Sequence, residues 1–405
     1  QAARRVQPAA QRTTTFLTSG RCSTPLRRRR CADRTQSNVH PSQNDSERPV
    51  RSSIVVDALG LTVKIQTDHA DAAAVRDAWS GARSGAIDSE RVVNTGSPVD
   101  LASLSISTTL EAIAGRKGEL LMFHACGLVR ADGAVAAFVA ASGTGKTTLA
   151  RTLGTALGYL SDETVAVEFD GTVHPYRKPL SIIEQPGAPK AQRSPGSIAL
   201  LELPDAPRRI AALVLLDRDE AFDSKFADIQ HVGLIDALPS LVPQISFLGA
   251  LPNGLGALAA LSARVGGVVR VHYREAIQIQ HRLDEVFERG GRSTNSATSH
   301  GVTVPPRHGV ERTGWTQTDD VQWLDDGELV ATFDRTTVRI LEGVGAAVWR
   351  SLDVANDIET ITHAVVTALG PAPSADASAL VLDALHTLRD AGLVSHFASA
   401  QSGPH

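Results

Sequence analysis

Apolar residues recur along the chain with two different periods, and each period predicts one kind of element. Between residues 53 and 290, short apolar runs typical of buried strands alternate with patterns typical of helices. Ala134–Val139 is one of the strand-type runs. In the helix-type pattern that follows it, Leu149, Leu153 and Leu157 recur at every fourth position, and Gly158 is expected to end the helix. Strands and helices that alternate in this way predict an α/β domain.

The pattern changes in the last quarter of the chain. Three short strand-type runs at residues 322–324, 328–333 and 336–341 precede three helix-type patterns. The last pattern, over residues 377–388, has apolar side chains at i, i+3, i+4, i+7, i+8 and i+11, which predicts an amphipathic helix. A β-β-β-α-α-α unit over residues 315–397 is long enough to form a small independent α+β domain.

Three segments lack a pattern that would form a core. Residues 1–51 are rich in Arg, Ser and Thr and poor in apolar side chains, which predicts disorder. The same composition also suits an organelle transit peptide or a basic arm for RNA or membranes, and a first residue other than Met also fits a fragment or a misassigned start. Residues 291–314 have the composition of a linker, and residues 398–405 are expected to form a tail.

Composition excludes several classes of protein. The 405 residues are 42% hydrophobic and 21% charged, as in soluble globular proteins, and the net charge of −4 argues against a nucleic-acid partner. The three cysteines show no C-x-x-C pairing, so neither a zinc site nor a disulfide framework is indicated. No apolar run approaches the roughly 20 residues that span a bilayer. We therefore expect a cytoplasmic protein without a membrane partner. The composition does not decide whether the protein forms a homo-oligomer.

A glycine-rich turn lies between the Ala134–Val139 run and the following helix pattern. Residues 140–148 read AASGTGKTT, which matches the phosphate-binding loop G-x-x-x-x-G-K-[ST] except that Ala140 replaces the first glycine. We expect an ordinary φ at Ala140. Lys146 would reach the β- and γ-phosphates, and the Thr147 hydroxyl would hold Mg²⁺. The sequence predicts ATP and Mg²⁺ as cofactors, with these nucleotide-binding residues: Ser142, Gly143, Thr144, Gly145, Lys146, Thr147 and Thr148.

Two acidic sites compete for the metal that phosphoryl transfer requires. Asp217 ends an apolar strand, as a Walker B acid does, although acids at strand ends are as often solvated turn residues. Asp162 and Glu163 follow the loop helix at the start of another strand, where they could lie beside the γ-phosphate. The two adjacent basic residues Arg177 and Lys178 could neutralise phosphate charge, but a pair of adjacent charged residues is more typical of a solvated surface.

Residues 124–167 resemble the HPr kinase/phosphorylase family. The resemblance is carried by a histidine before a strand, the phosphate loop and its helix, and an acidic pair that opens a strand. It implies that Asp162 and Glu163 serve as metal contact and general base, that Thr147 and Asp162 hold the metal, and that His124 is a third catalytic residue. The later glycine-rich motif of that family has no counterpart near Glu184, which favours the HPr-kinase-like proteins of modified-peptide pathways.

The C-terminal unit resembles the PqqD family of peptide-recognition domains. The resemblance spans residues 315–397 and includes GVGAAVW at 343–349 and LRDAGLV at 388–394. It implies that the leader of a ribosomally made precursor peptide adds to the edge of the third strand and packs against the last helix. The implied fold is a small, winged-helix-like α+β domain. The alternative function is a winged-helix-like domain used only for dimerisation or DNA binding, although nothing in the unit is strongly basic, which disfavours DNA. The residues implied to bind the peptide are Thr337, Val338, Arg339, Ile340, Leu380 and Leu388.

The two halves together predict an ATP-dependent kinase that phosphorylates a Ser or Thr hydroxyl of the precursor peptide, with Asp162 accepting the hydroxyl proton. A flexibly tethered leader-binding domain would present the peptide at an effective concentration of about a millimolar. One alternative is a nucleotide-gated adaptor that binds the leader without kinase activity. Another is an enzyme for a small molecule in which the last domain is regulatory.

Overall fold

The computed structural model describes residues 51–185, 187–291, 314–372 and 376–397. The expected disordered segment, linker and tail therefore lie outside the described residues, apart from three positions at their boundaries. Arg51 is the first residue of a strand, Gly291 is the last residue of a helix, and Gly314 is the first residue of another strand. No helix among the described residues has the length and apolar character needed to cross a bilayer.

The described residues form nineteen strands and ten α-helices. The strands are β1 Arg51–Ala58, β2 Leu61–Asp68, β3 Val92–Asn94, β4 Leu121–Val129, β5 Ala134–Val139, β6 Gly158–Ser161, β7 Thr164–Val167, β8 Val173–His174, β9 Leu180–Ile182, β10 Ala191–Arg193, β11 Arg209–Arg218, β12 Asp228–Val232, β13 Ile245–Ser246, β14 Val268–Tyr273, β15 Gly314–Gln317, β16 Gln322–Asp325, β17 Val330–Phe333, β18 Val338–Leu341 and β19 Val394–Phe397. The helices are α1 Ala72–Ala78, α2 Leu101–Gly115, α3 Lys146–Leu153, α4 Leu234–Leu241, α5 Gly254–Arg264, α6 Ala276–Gln280, α7 Leu283–Gly291, α8 Gly343–Ser351, α9 Ile358–Leu369 and α10 Ala377–Asp390.

A mixed sheet of nine strands organises the larger part of the molecule. Its order is β12-β14-β11-β5-β4-β7-β8, and β6 and β13 also pair with β4. The strands β5, β11 and β14 are parallel to one another, whereas β4 is antiparallel to β5. The predicted α/β class is confirmed at this level.

Alternate residues of β5 enter two different cores, because successive side chains of a strand point to opposite faces. Val135, Ala137 and Val139 pack in the core that includes α4 and α5. Ala136 and Phe138 pack in the core that includes α3 and α7. Both faces of the central strand are therefore covered, as its continuous apolar run suggests.

Helix α3 ends earlier than the spacing of its leucines predicts. It ends at Leu153, with Gly154 as its C-cap, and Gly158 begins β6 instead of ending the helix. A Cβ on Gly154 would lie 2.4 Å from the carbonyl oxygen of Ala150, so the close approach requires glycine there. Leu157 still packs against the α3 core from the turn that follows, which explains why the apolar spacing continues past the helix.

The three-stranded sheet β16-β17-β18 lies between two cores. Leu324, Ala331 and Phe333 pack in the core of the large sheet with α4 and α5. On the opposite face, Val330 and Trp323 pack in the core of α8, α9 and α10. The small sheet is thus the middle layer of a helix–sheet–helix arrangement that joins the two predicted domains.

Candidate nucleotide-binding site

The phosphate loop joins the end of β5 to the start of α3, as predicted. Gly143 and Gly145 have φ of 86° and 103°, in the left-handed region that glycine tolerates, whereas Ala140 is not among the residues with positive φ. No heavy atom lies within 4 Å of the position that a Cβ on Gly143 would take. The space above the loop is therefore open, next to a helix N-terminus whose N–H groups favour anions.

Lys146 is folded back onto the loop and is only 6% exposed. Its Nζ donates to the carbonyl oxygens of Ala140 and Ala141 at 2.7 and 2.9 Å. Burial lowers the pKa of Lys146, whereas the negative charges of Glu163 and Asp162 act to raise it. A phosphate on the loop would offer this partly desolvated ammonium group an anionic acceptor in place of a carbonyl.

The structure brings Asp162 into contact with the phosphate loop. The Thr147 hydroxyl donates to Asp162 Oδ2 at 2.8 Å, and the Tyr159 hydroxyl donates to Oδ1 at 3.0 Å. Asp162 and Glu163 form the turn between β6 and β7, where the Ser161 hydroxyl accepts hydrogen bonds from the N–H groups of Glu163 and Thr164. Because β6 and β7 both pair with β4, this turn is held at the end of the sheet where the loop lies.

His124 lies on β4 beside the same turn. Its Nδ1 is 3.0 Å from the backbone oxygen of Glu163 and 3.5 Å from the side-chain Oε1 of that residue. Burial lowers the pKa of His124, and the positive charge of Lys146 lowers it further, while Glu163 opposes both effects. The three residues that the resemblance assigns to catalysis, namely Asp162, Glu163 and His124, therefore come together.

The expectation of a basic surface pair at Arg177 and Lys178 is wrong. The two residues are 5% and 2% exposed. Arg177 donates to the backbone oxygens of Tyr159 and Leu201 and to Glu202, so it holds neighbouring chain segments together. A buried charge requires a charged or hydrogen-bonding partner, and the adjacent acidic turn supplies one for Lys178.

The sequence allows Lys178 a role in neutralising phosphate charge, but it does not predict the buried position of Lys178 beside the acidic turn, nor the contact of Tyr159 with Asp162. The Nζ of Lys178 lies 3.3 Å from Asp162 Oδ1 and 3.7 Å from Glu163 Oε2. One signal was available in the sequence: the chain has only six lysines, and the position is followed by Pro179 and Leu180 rather than by polar residues. The preceding residue, Arg177, obscures that signal, because two adjacent basic residues are typical of a solvated surface.

Asp217, the competing metal acid, lies on the other side of the loop. It is exposed near the end of β11, which pairs with the edge of β5 opposite β4. Among the described residues, the Thr147 hydroxyl donates to Asp162 and not to Asp217. Of the two acids, the geometry connects Asp162 to the loop.

The residues present fit a magnesium nucleotide. The Thr147 hydroxyl and the Asp162 carboxylate are oxygen donors 2.8 Å apart at the rim of the loop. Magnesium is commonly held by one or two carboxylates together with substrate phosphates and water. Within the described part of the chain, no group of three or more His, Cys, Asp or Glu side chains could hold a metal ion by itself. The remaining ligands of a magnesium ion would therefore be phosphate oxygens and water.

The residues assigned to peptide binding are placed unequally. Val338, Arg339 and Ile340 lie on β18, which pairs only with β17 among the described strands, and Thr337 directly precedes it. Leu380 is 41% exposed on α10. Leu388 is only 4% exposed in the core of the C-terminal helices, so it offers no surface to a peptide, because its position on the helix turns it inward.

Comparison with known proteins gives no assignment for this chain. No family model matches it, and no curated protein matches it.

Proposed function

We propose that this protein is an ATP-dependent phosphotransferase acting on a Ser or Thr hydroxyl of a ribosomally made precursor peptide. In this proposal, the α/β domain is a P-loop kinase-like domain similar to HPr kinases, and the C-terminal unit is PqqD-like. The observation that carries the proposal is the 2.8 Å hydrogen bond from Thr147 in the loop to Asp162. It couples a phosphate-binding loop to a buried carboxylate, the pairing that a metal-assisted phosphoryl transfer requires.

The two acids of the turn differ in their surroundings, which assigns them different roles. The carboxylate of Asp162 accepts hydrogen bonds from Thr147 and Tyr159 and pairs with Lys178, so it is suited to orient the metal. Bound Mg²⁺ would neutralise charge on the β- and γ-phosphates. The Glu163 side chain is 38% exposed and more accessible to a substrate, so we assign the proton acceptor to Glu163 rather than to Asp162.

The transfer itself balances without another reactant. The peptide hydroxyl oxygen forms a bond to the γ-phosphorus while the bond from that phosphorus to the β–γ bridging oxygen breaks, and ADP leaves. The hydroxyl proton passes to Glu163, whose Oε1 lies 3.5 Å from His124 Nδ1. His124 is thereby placed to hold the carboxylate in position.

Delivery of the peptide would use the edge of β18. A leader strand added there gains backbone hydrogen bonds from the edge, and the PqqD-like resemblance assigns further contacts to the last helix, on which Leu380 is exposed. The sheet that carries β18 shares a core with the large domain through Phe333 and Leu324. The peptide would therefore bind to a site that is packed rigidly against the catalytic domain, rather than to a domain on a flexible linker.

A second candidate function is a nucleotide-gated adaptor that binds the leader without modifying it. One observation favours it. Both Lys146 and Asp162 have protein partners in this structure, so a bound nucleotide would exchange those contacts and could shift the loop and the turn. The two functions share nucleotide and leader binding and differ in whether a phosphopeptide forms.

The test uses the full-length protein, γ-labelled ATP, Mg²⁺ and the peptides encoded by short reading frames in the neighbourhood of its gene, with mass spectrometry of each peptide. We expect a phosphopeptide from the native protein and a loss of about 100-fold or more in its rate of formation in Asp162→Asn and Glu163→Gln. Asp217→Asn is the matched control and should retain the native rate. ATP hydrolysis without phosphopeptide contradicts the kinase, and leader binding that changes with ATP but yields no product supports the adaptor.

A further inference from the structure

A shallow cleft that is open to solvent lies beside the phosphate loop and is not used by the proposed chemistry. One wall is formed by the loop and α3 through Thr144, Gly145 and Thr148. The other wall is formed by Arg218 at the end of β11 and by the residues that follow β14, including Glu275. The cleft thus shares one wall with the phosphate loop.

The strand order places this cleft opposite the catalytic acids. From β5, the sheet continues through β4 to β6 and β7, whose connecting turn carries Asp162. In the other direction it continues through β11 to β14, whose last residue, Tyr273, lines the cleft. Each feature is two strands from β5, or about 10 Å away along the sheet, on opposite sides of the loop.

This arrangement fixes the direction in which a bound nucleotide would run. Transfer requires the γ-phosphate to lie at Thr147 and Asp162, where the hydrogen bond joins the loop to the acidic turn. The β-phosphate lies at the centre of such a loop. The α-phosphate and nucleoside must then extend away from Asp162, towards Thr148 and the cleft.

Arg218 supplies positive charge at the mouth of the cleft. Its Cδ is 4.0 Å from the position that a Cβ on Gly145 would take, so the side chain passes directly beside the loop. Its Nε donates to the backbone oxygen of Arg274 at 2.9 Å, which anchors the guanidinium group. Its Nη2 is 3.8 Å from Glu275 Oε1, too long for a hydrogen bond. A guanidinium group has five N–H donors, so an anchored Arg218 retains donors for a phosphate.

We propose that this cleft holds the nucleoside and α-phosphate of the bound nucleotide, and that Arg218 contacts the α-phosphate. The proposal rests on the proposed function, because the direction of the nucleotide follows from placing its γ-phosphate at Thr147 and Asp162, and its tests measure nucleotide binding rather than phosphoryl transfer. It makes Arg218 a nucleotide-binding residue on the side of the loop opposite Asp162. It also makes the β14–α6 connection the wall against which the nucleoside lies.

The first test is photolabelling of the full-length protein with 8-azido-ATP and Mg²⁺, followed by mass mapping of the adducts. We expect labelling that excess ATP prevents, on peptides that contain Arg218 or residues 273–276. ATP-competed labelling confined to other peptides, such as the β9–β10 hairpin, overturns the cleft assignment alone. Absence of any ATP-competed labelling contradicts nucleotide binding, and with it both this inference and the proposed function.

The second test compares ATP affinities by calorimetry. Arg218→Ala should weaken ATP binding about tenfold or more, because it removes a charge-assisted hydrogen bond to phosphate. Arg218→Lys should recover part of that loss. Arg209→Ala is the matched control, since Arg209 is an exposed arginine at the other end of β11. Unchanged ATP affinity in Arg218→Ala, with native affinity in the control, contradicts the role of Arg218.

Discussion

The carboxylate of Asp162 and the ammonium group of Lys178 lie 3.3 Å apart, with both side chains almost fully buried. A buried ion pair costs desolvation energy and by itself adds little stability. Here the carboxylate also accepts two hydroxyl donors, from Thr147 and Tyr159. Burial raises the pKa of Tyr159, and the charge of Asp162 raises it further, so this hydroxyl remains a donor. The network therefore fixes the orientation of one carboxylate, which the proposed metal-binding role of Asp162 would require.

His124 should make the stability of the protein depend on pH. Its pKa is lowered in the folded protein from 6.5 by burial and by Lys146. The unfolded chain then binds a proton that the folded protein does not, so the stabilising contribution is present above about pH 6.5 and is lost as pH falls towards the lowered pKa. We expect the free energy of unfolding of the native protein to fall more than that of His124→Gln between about pH 7.5 and 5.5, measured by urea denaturation.

His363→Gln is the control for this prediction, because His363 is an exposed histidine on α9. It should follow the pH profile of the native protein. If His124→Gln loses as much stability as the native protein over the same interval, the lowered pKa of His124 does not cause the pH dependence, and the prediction is wrong.

At the scale of elements, β18 has one edge that pairs with no other described strand, and the hydrogen bonds of its hairpin define the geometry of that edge. The Asp334 N–H donates to the Thr337 oxygen, which sets the alternation of the antiparallel ladder. Arg339, opposite Thr332, then bonds within the ladder, whereas the backbone groups of Val338 point to the open edge. A peptide strand would therefore form backbone hydrogen bonds with Val338 and with Ile340, two residues further along β18.

Proline substitutions separate these two kinds of position. Val338→Pro should leave the protein folded, because the lost N–H makes no ladder bond, but it should weaken binding of the precursor peptide about tenfold or more. Arg339→Pro removes a ladder bond and the 2.6 Å ion pair with Asp334, and should lower the free energy of unfolding by about 1–3 kcal/mol more than Val338→Pro does. Calorimetric peptide titration and urea denaturation measure the two effects. Native peptide affinity in folded Val338→Pro contradicts docking at this edge.

Local signals predicted the elements that carry the site. The glycine turn between an apolar run and a helix placed the loop, and the regular apolar spacing predicted α10. The sequence does not clearly predict helix α2, because its buried face includes Ser105, Thr108 and Thr109, which interrupt the apolar pattern. The polar side chains of Thr108 and Thr109 bond back to the backbone four residues earlier, so burial is possible without a local sequence signal.

Long-range contacts were beyond such signals. The pairing of β15 with β19 joins chain segments that are far apart in sequence, and neither short strand has a strong pattern of its own. The partnership of Lys178 with Asp162 likewise depends on the tertiary fold. Local periodicity reports which face of an element is apolar, but the identity of the element that covers that face is decided by packing.

At the scale of the whole molecule, the small sheet β16-β17-β18 connects the phosphate-loop domain to the C-terminal helices. Phe333 on one face packs in the core with α4 and α5, and Val330 on the other face packs with α8. Gln322 adds a polar contact, since its Oε1 accepts from the Leu255 N–H at 2.8 Å. Removing packing in this layer should therefore loosen elements on both sides of it.

Phe333→Ala tests this coupling. Phe333 is 1% exposed, so its truncation should lower the free energy of unfolding by about 3–5 kcal/mol. Hydrogen exchange followed by mass spectrometry should show faster exchange in α4 and α5 as well as in β17, because the cavity opens between them. Phe397→Ala is the matched control: Phe397 is 39% exposed on β19, and its truncation should cost far less and leave exchange in α4 native. Faster exchange confined to residues 314–397 would mean that the small sheet belongs to the C-terminal unit alone, and a peptide docked on β18 would then have no rigid connection to the phosphate loop.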